Sequence, residues 1–273
     1  MVQNLDRIDH GRFRCANNWS RPSCSLLEDQ CGSYAAVTGS FVSGSNYSFT
    51  FGAGAVASDV VSYYIVAQDL AGTPNVSAFP STGGAGFTAT PPAASTPPTT
   101  PSTYSIQTLL AAGTYSIPGD YATLMAAVPD YNTKCLGGAI VFELTSGYSS
   151  ASETYPITVN ANGGASATNT LTIRPATGQT PTISGSLANG ALIKLNGADF
   201  VTINGSNSGG TDRSLTITNT ATTAPCGVWI SSLGNGAGAL NNTVSNCSVN
   251  TNGATIATAY GIAVSGLTIH SSR

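Results

Sequence analysis

The sequence predicts an all-β protein. Its larger part, residues 104–273, reads as a right-handed parallel β-helix with a short N-terminal capping helix, preceded by a partial β-sandwich-like segment. Three observations carry this. Short x-Thr-Ile triplets recur between Gly/Asn/Ser turns, one amphipathic helical stretch stands ahead of them, and apolar and polar residues alternate between Phe41 and Phe87. Period two with β-branched and aromatic enrichment means strands, and period 3.6 means helix.

Composition sets the frame. Of 273 residues, 41% are hydrophobic, enough for a core, yet only 8% are charged, about a third of the usual share, so Ser, Thr, Asn and Gly must wet the surface. That balance suits an exported protein better than a cytosolic enzyme. A net charge of −3 offers no basic stripe, which argues against nucleic acid as a partner. No run of ~18 apolar residues occurs, so membrane insertion is not expected. The first residues lack a secretory leader, and the true N-terminus is expected to lie upstream.

Residues 1–35 hold eight charged side chains against thirteen in all the rest. The shift suggests either a small cysteine-linked module or sequence that is disordered or foreign to the fold, the second being preferred. Cys15, Cys24 and Cys31 could pair in an oxidising compartment, whereas Cys135, Cys226 and Cys247 read as small buried hydrophobes. With no C-x-x-C pair, and with His10 and His270 apart from any ligand cluster, no metal site and no cofactor is expected.

Residues 36–87 contain Tyr47-Ser-Phe-Thr-Phe51 and Val60-Val-Ser-Tyr-Tyr-Ile-Val-Ala67. The stretch Ser62-Tyr-Tyr-Ile-Val-Ala-Gln-Asp69 resembles the penultimate strand and turn of an immunoglobulin- or fibronectin-like sandwich, of which about half fits here. Residues 88–103, with five prolines, read as a semi-rigid linker.

After the linker, Tyr104-Ser-Ile and Tyr115-Ser-Ile mark strands. A helix follows over about 120–132, with Asp120 as N-cap and Tyr121, Leu124, Met125 and Val128 on one apolar face. It is placed to plug the N-terminal end of a solenoid. Then come Ala139-Ile-Val-Phe-Glu-Leu144, Tyr155-Pro-Ile-Thr-Val159 and the triplets Leu171-Thr-Ile173, Pro181-Thr-Ile183, Val201-Thr-Ile203, Leu215-Thr-Ile217 and Leu267-Thr-Ile269. Leu192, Val228 and Gly261 open similar strands 36 and 33 residues apart, which fits successive coils. The final coil ends without a cap, so an open C-terminal solenoid end is expected to self-associate, and further coils are expected downstream.

The pattern Asp120-Tyr-Ala-Thr-Leu-Met-Ala-Ala-Val128, Ala139-Ile-Val-Phe-Glu-Leu144 and Gly147-Tyr148 resembles the N-terminal region of the pectin-lyase-like β-helix superfamily. Residues 170–220 are similar to the Asn/Thr/Gly-rich repeats of secreted or cell-surface proteins of Bacteroidetes-type bacteria. The resemblance implies an extracellular or cell-surface setting.

No catalytic residue is assigned. Glycoside chemistry needs paired carboxylates, and the solenoid offers Glu143, Glu153, Asp199 and Asp212, with Arg174, Lys194 and Arg213 as cations. Asp199 reads as a turn residue and Asp212-Arg213 as a surface pair. The Asn-Thr-Asp, Asp-Asp, Gly-His-Gly and Arg-Ile-Lys hallmarks of polygalacturonase-like enzymes are absent. Six N-x-S/T sequons, at Asn18, Asn46, Asn75, Asn204, Asn241 and Asn246, are expected by chance, and Asn residues at turns are expected to stack as hydrogen-bonded ladders. The expected role is a structural or adhesive segment of an exported bacterial surface protein, touching a glycan or host surface weakly through binding residues the sequence leaves unknown. The alternative is a fragment of a polysaccharide-degrading lyase or hydrolase whose catalytic coils lie elsewhere.

Overall fold

The computed structural model describes residues 7–8, 12–14, 24–29, 34–43, 46–89, 91–252 and 258–269, with backbone alone before residue 34. His10, His270, Trp19, Cys15 and Cys31 lie outside the described residues, as does the Cys24 side chain. The chain divides into two compact units, Met1–Gln107 and Thr108–Arg273. It is 43% strand and 6% helix. No helix of the described residues is long and apolar enough to cross a membrane.

The first unit is antiparallel. One sheet joins Arg7–Ile8, Arg12–Arg14, Asn46–Ser48 and Ser40–Ser43 in that order. A second runs Ser102–Ser105, Val60–Gln68, Cys24–Asp29, Tyr34–Thr38, with Val76–Phe79 also on Val60–Gln68. The nine-residue strand Val60–Gln68 is the hub, because it pairs along its whole length. Cys24–Asp29 takes one edge, while Ser102–Ser105 and Val76–Phe79 share the other. Its Val61, Tyr64, Ile65 and Val66 are buried.

Two expectations change here. Residues 1–35 contribute strands to both sheets, since backbone donors along Val60–Gln68 and Asn46–Ser48 need partners whatever the local charge density. The proline-rich stretch 88–103 carries two strands. Ala93–Thr96 forms a hairpin with Ala85–Thr88, and Ser102–Ser105 pairs with Val60–Tyr63. The prolines sit between these strands, where no ladder donor is required. Tyr104 therefore belongs to the first unit, in an aromatic group with Phe51 and Tyr63, and not to the solenoid.

The second unit is a parallel β-solenoid of about four turns. Sheet 1 stacks Gly113–Ile117, Ile140–Leu144, Leu171–Pro175, Val201–Asn204 and Thr243–Ser245. Sheet 2 stacks Thr182–Gly185, Leu215–Asn219 and Cys247–Thr251. Sheet 3 stacks Ile157–Asn160, Ala191–Asn196, Cys226–Ser231 and Tyr260–Ser265. Full coils visit the sheets in the order 1, 2, 3. Register puts like on like: Leu171 under Val201 and Ile173 under Ile203 in sheet 1, Ile183 under Ile217 in sheet 2, Ile193 under Val228 in sheet 3. All eight are fully buried, and each such side chain contributes about 1.5–3 kcal/mol. A one-residue slip would turn every one of them to solvent, so the x-Thr-Ile pattern itself fixes the register. The triplet Leu267-Thr-Ile269 is the exception: it forms no strand and Leu267 is exposed.

The one α-helix among the described residues, α1 (Leu124–Thr133), plugs the N-terminal end, burying Leu124, Ala127, Val128 and Tyr131 against the solenoid core. Its N-cap is Thr123, whose hydroxyl accepts from Ala126 N at 3.0 Å. Asp120, expected in that role, accepts from Ser116 N (2.8 Å) and holds the preceding turn. The buried face is displaced by one turn accordingly, leaving Met125 exposed.

Candidate functional site

The second unit holds six carboxylates: Asp120 lies in the turn before α1, Asp130 within α1 accepts from the Tyr121 hydroxyl (2.5 Å) and pairs with Lys134 (2.6 Å), and the other four lie on different elements, each bound by its surroundings. Glu143 points outward from sheet 1 and meets Arg174, its register neighbour one rung on, with Nη2 3.0 Å from Oε1. Glu153 closes α1 from the next coil. Its Oε1 accepts from Leu124 N (2.7 Å) and its Oε2 from Met125 N (2.9 Å). An anionic carboxylate there satisfies two orphan N–H donors and meets the positive end of the helix dipole. The other end of α1 is held by Asn162, whose Nδ2 donates to Tyr131 O (2.5 Å) and Lys134 O (3.0 Å).

Asp199 occupies the turn between Ala191–Asn196 and Val201–Asn204 and accepts from Leu240 N at 2.5 Å, the turn role expected of it. Burial, and secondarily the Asp199 charge, pushes the Tyr131 phenol up to about 12. Asp212 departs from its expected surface pairing with Arg213. It accepts from Ser206 Oγ (2.6 Å), Ser214 Oγ (2.7 Å), Asn207 N (2.9 Å) and Ser208 Oγ. These donors stabilise the anion and hold its carboxyl well below the usual range. Its work is to staple the loop between Asn204 and Ser214. Gly205 opens that loop because its backbone passes so close to Asn246 O that a Cβ would sit 1.9 Å away.

What faces solvent on the three sheets is mostly hydroxyl and amide. Thr172, Thr202 and Thr243 form one column on sheet 1; Thr182, Thr216 and Ser248 form another on sheet 2. On sheet 3, Lys194 stands over Trp229 of the next rung, Nζ 4.3 Å from the ring centroid. The indole Nε1 donates to Ser265 Oγ at 2.8 Å. Trp229 is only 8% exposed, packed with Ala191, Cys226 and Ala263 and partly covered by Ile269. It therefore fastens rungs together and presents no open stacking platform.

Asparagine stacking takes two forms. Asn196 donates to Asn160 Oδ1 (2.9 Å) and Asn246 to Asn204 Oδ1 (3.0 Å), each pair linking successive rungs. Asn219, fully buried, works alone. Its Nδ2 donates to Leu187 O (2.9 Å), Gly190 O (3.2 Å) and Cys226 O (2.9 Å), and its Oδ1 accepts from Leu187 N (3.0 Å) and Ala221 N (3.2 Å). Sequence reasoning missed both Asn219 and the trans-capping Glu153, since their partners are remote in the chain. An Asn ending an apolar strand at Leu215-Thr-Ile-Thr-Asn219 was the one available signal. Among the cysteines, Cys226 is buried and Cys247 half-buried, whereas Cys135, expected inside, is exposed at a two-residue strand beside the helix end.

Among the described residues no three His, Cys, Asp or Glu side chains converge on one point. No family model, curated protein or solved structure matches this chain. The solenoid is thus read from its own geometry.

Proposed function

We propose that this chain is a structural and adhesive segment of an exported bacterial surface protein, akin to the β-helix repeat proteins of Bacteroidetes-type bacteria within the pectin-lyase-like class. Its solenoid acts as a stiff element that presents or extends, and its outer faces touch a glycan or a cell surface weakly. The observation that supports this is the use of Glu143, Glu153, Asp199 and Asp212. Each binds its own fold, a structural use of the acids that glycoside cleavage would need as a pair of reacting groups. The columns of Thr, Ser and Asn hydroxyls and amides suit many weak hydrogen bonds to sugar hydroxyls.

The test is incubation of the whole chain with insoluble neutral and uronate-containing polysaccharides and with intact bacterial cells. Expected are co-sedimentation with a glycan or a cell surface and no new reducing ends or unsaturated products. Release of either product would replace this reading with the polysaccharide-degrading alternative, and absence of any retention would remove the adhesive part.

A further inference from the structure

We infer that Asn235 is a site of spontaneous covalent change, its side-chain amide converting to a carboxylate through a cyclic imide while the protein stays folded. The chain holds six Asn-Gly pairs, beginning at Asn162, Asn189, Asn196, Asn204, Asn235 and Asn252. In each, the backbone nitrogen of the glycine can attack Cγ of the asparagine, since glycine has no side chain to crowd the approach. The new N–Cγ bond closes a five-membered imide as the Cγ–Nδ2 bond breaks, and the departing nitrogen carries the glycine's proton away as ammonia. Water then adds at either imide carbonyl. The ring opens to aspartate or, with the backbone rerouted through Cγ, to isoaspartate.

Attack requires the Asn-Gly peptide plane to rotate and the side-chain amide to swing over it, and five pairs are tied against this. Asn162 donates through Nδ2 to Tyr131 O and Lys134 O. Asn196 donates to Asn160 Oδ1, and the Gly197 nitrogen itself donates to Ser231 O at 2.8 Å. Asn204 accepts from Asn246, while Gly205 N donates to Ser245 O at 2.9 Å. Asn189 N donates to Thr223 O (3.1 Å), and the Gly190 carbonyl accepts from both Asn219 Nδ2 and Cys226 N. Asn252 Nδ2 donates to Thr220 O at 3.3 Å.

Asn235 has none of these ties. It is exposed in the corner between Cys226–Ser231 and Thr243–Ser245. A β-turn there is closed by Ala237 N donating to Gly234 O (3.1 Å) and backed by Leu233 N donating to Ala237 O (2.9 Å). Both bonds bypass the central peptide. Among the described residues, no protein group bonds the Asn235 side chain or Gly236 N–H. The central peptide of such a turn can flip with the closing bond kept, because turn types differ mainly in its orientation. Gly234 and Gly236, at φ +126° and +74°, give that freedom on both sides, and a Cβ at either would meet nothing within 4 Å.

Peptide mapping by mass spectrometry of the whole chain, held for days in mild alkali, tests this. Asn235 should convert at least about tenfold faster than any tied pair, the suppression set by one hydrogen bond that must open first. Each conversion adds a negative charge to a chain of net charge −3, so the aged fraction should also separate on anion exchange. Unfolded in urea, the six pairs should react at similar rates. Asn235→Gln should remove the fast component and leave the other five unchanged. A native chain in which a tied pair leads, or in which all six convert together, overturns the inference. So does an Asn235 lead that persists undiminished in urea, since local sequence and not the fold would then set it.

Discussion

Replacing Asn219 isolates the contribution of one buried amide to coil closure. Asn219→Ala removes five hydrogen bonds at once, but their losses are unequal. Leu187 is half-exposed and Gly190 solvent-accessible, so water can replace the amide there, whereas Ala221 N and Cys226 O belong to buried residues. Stranding those two at about 1–3 kcal/mol each gives a loss of about 4 kcal/mol. For a unit of this size that corresponds to a fall in Tm of about 10 °C. Asn219→Asp is the sharper variant. It keeps the acceptor for Leu187 N and Ala221 N but turns a carboxylate oxygen toward three carbonyls. At pH 7 it should be destabilised at least as much as Asn219→Ala, and it should recover part of the loss as pH falls, starting above the ordinary carboxylate range because burial against three carbonyls raises the folded carboxyl, and ending near pH ~4, the unfolded value. Urea titrations followed by circular dichroism at pH 7 and pH 3.5, each against wild type at the same pH, measure both. If Asn219→Ala lies within about 1 kcal/mol of wild type, or Asn219→Asp is the more stable of the two at pH 7, the amide does not hold the corner.

Glu153→Gln should lower stability by about 1 kcal/mol, through the lost charge at the start of α1 and weaker acceptance from Leu124 N and Met125 N, seen in thermal melts. Asp212→Asn should loosen the loop between Asn204 and Ser214. Because the folded carboxyl titrates below its unfolded value, the wild-type contribution is complete above pH ~4 and disappears as pH falls through the depressed folded value. The contrast with Asp212→Asn in amide exchange at Asn207 should therefore be full at pH 6 and fade only in strong acid. Burial pushes the Cys226 and Cys247 thiols up to about 11, so peptide mapping after alkylation at pH 8 should find both unmodified in the native chain and labelled once it is unfolded.

The solenoid was legible because its grammar is local. Leu171-Thr-Ile173 and Val201-Thr-Ile203 announce inward and outward faces within three residues, and the spacing of Leu192, Val228 and Gly261 announces a coil. What could not be read is whatever depends on a neighbour one coil away. Glu153 caps a helix formed 28 or 29 residues earlier, and nothing in Ser152-Glu-Thr154 reveals it. The helix start was misplaced because the Asp120 carboxylate is taken by Ser116 N in the preceding turn, and the cap falls to Thr123. Residues 88–103 looked like a spacer because proline dominates the composition, yet proline removes only its own backbone donor and biases the residue before it toward extended geometry, so the short runs between prolines are free to pair. The candidate site was legible mainly as a scarcity of acids; the tethering of each acid was visible only in three dimensions.

The closure of α1 by Glu153 also ties the helix to a segment that lies well beyond it in the chain. The first amides of residues 124–133 find their acceptor only in a residue 28 or 29 positions further along the chain. Without that coil the helix is unfinished at one end, and Asn162, which ties off its other end, lies further along still. The plug and the coil beneath it are therefore interdependent, each end of the helix being satisfied only by a residue of the coil that follows it.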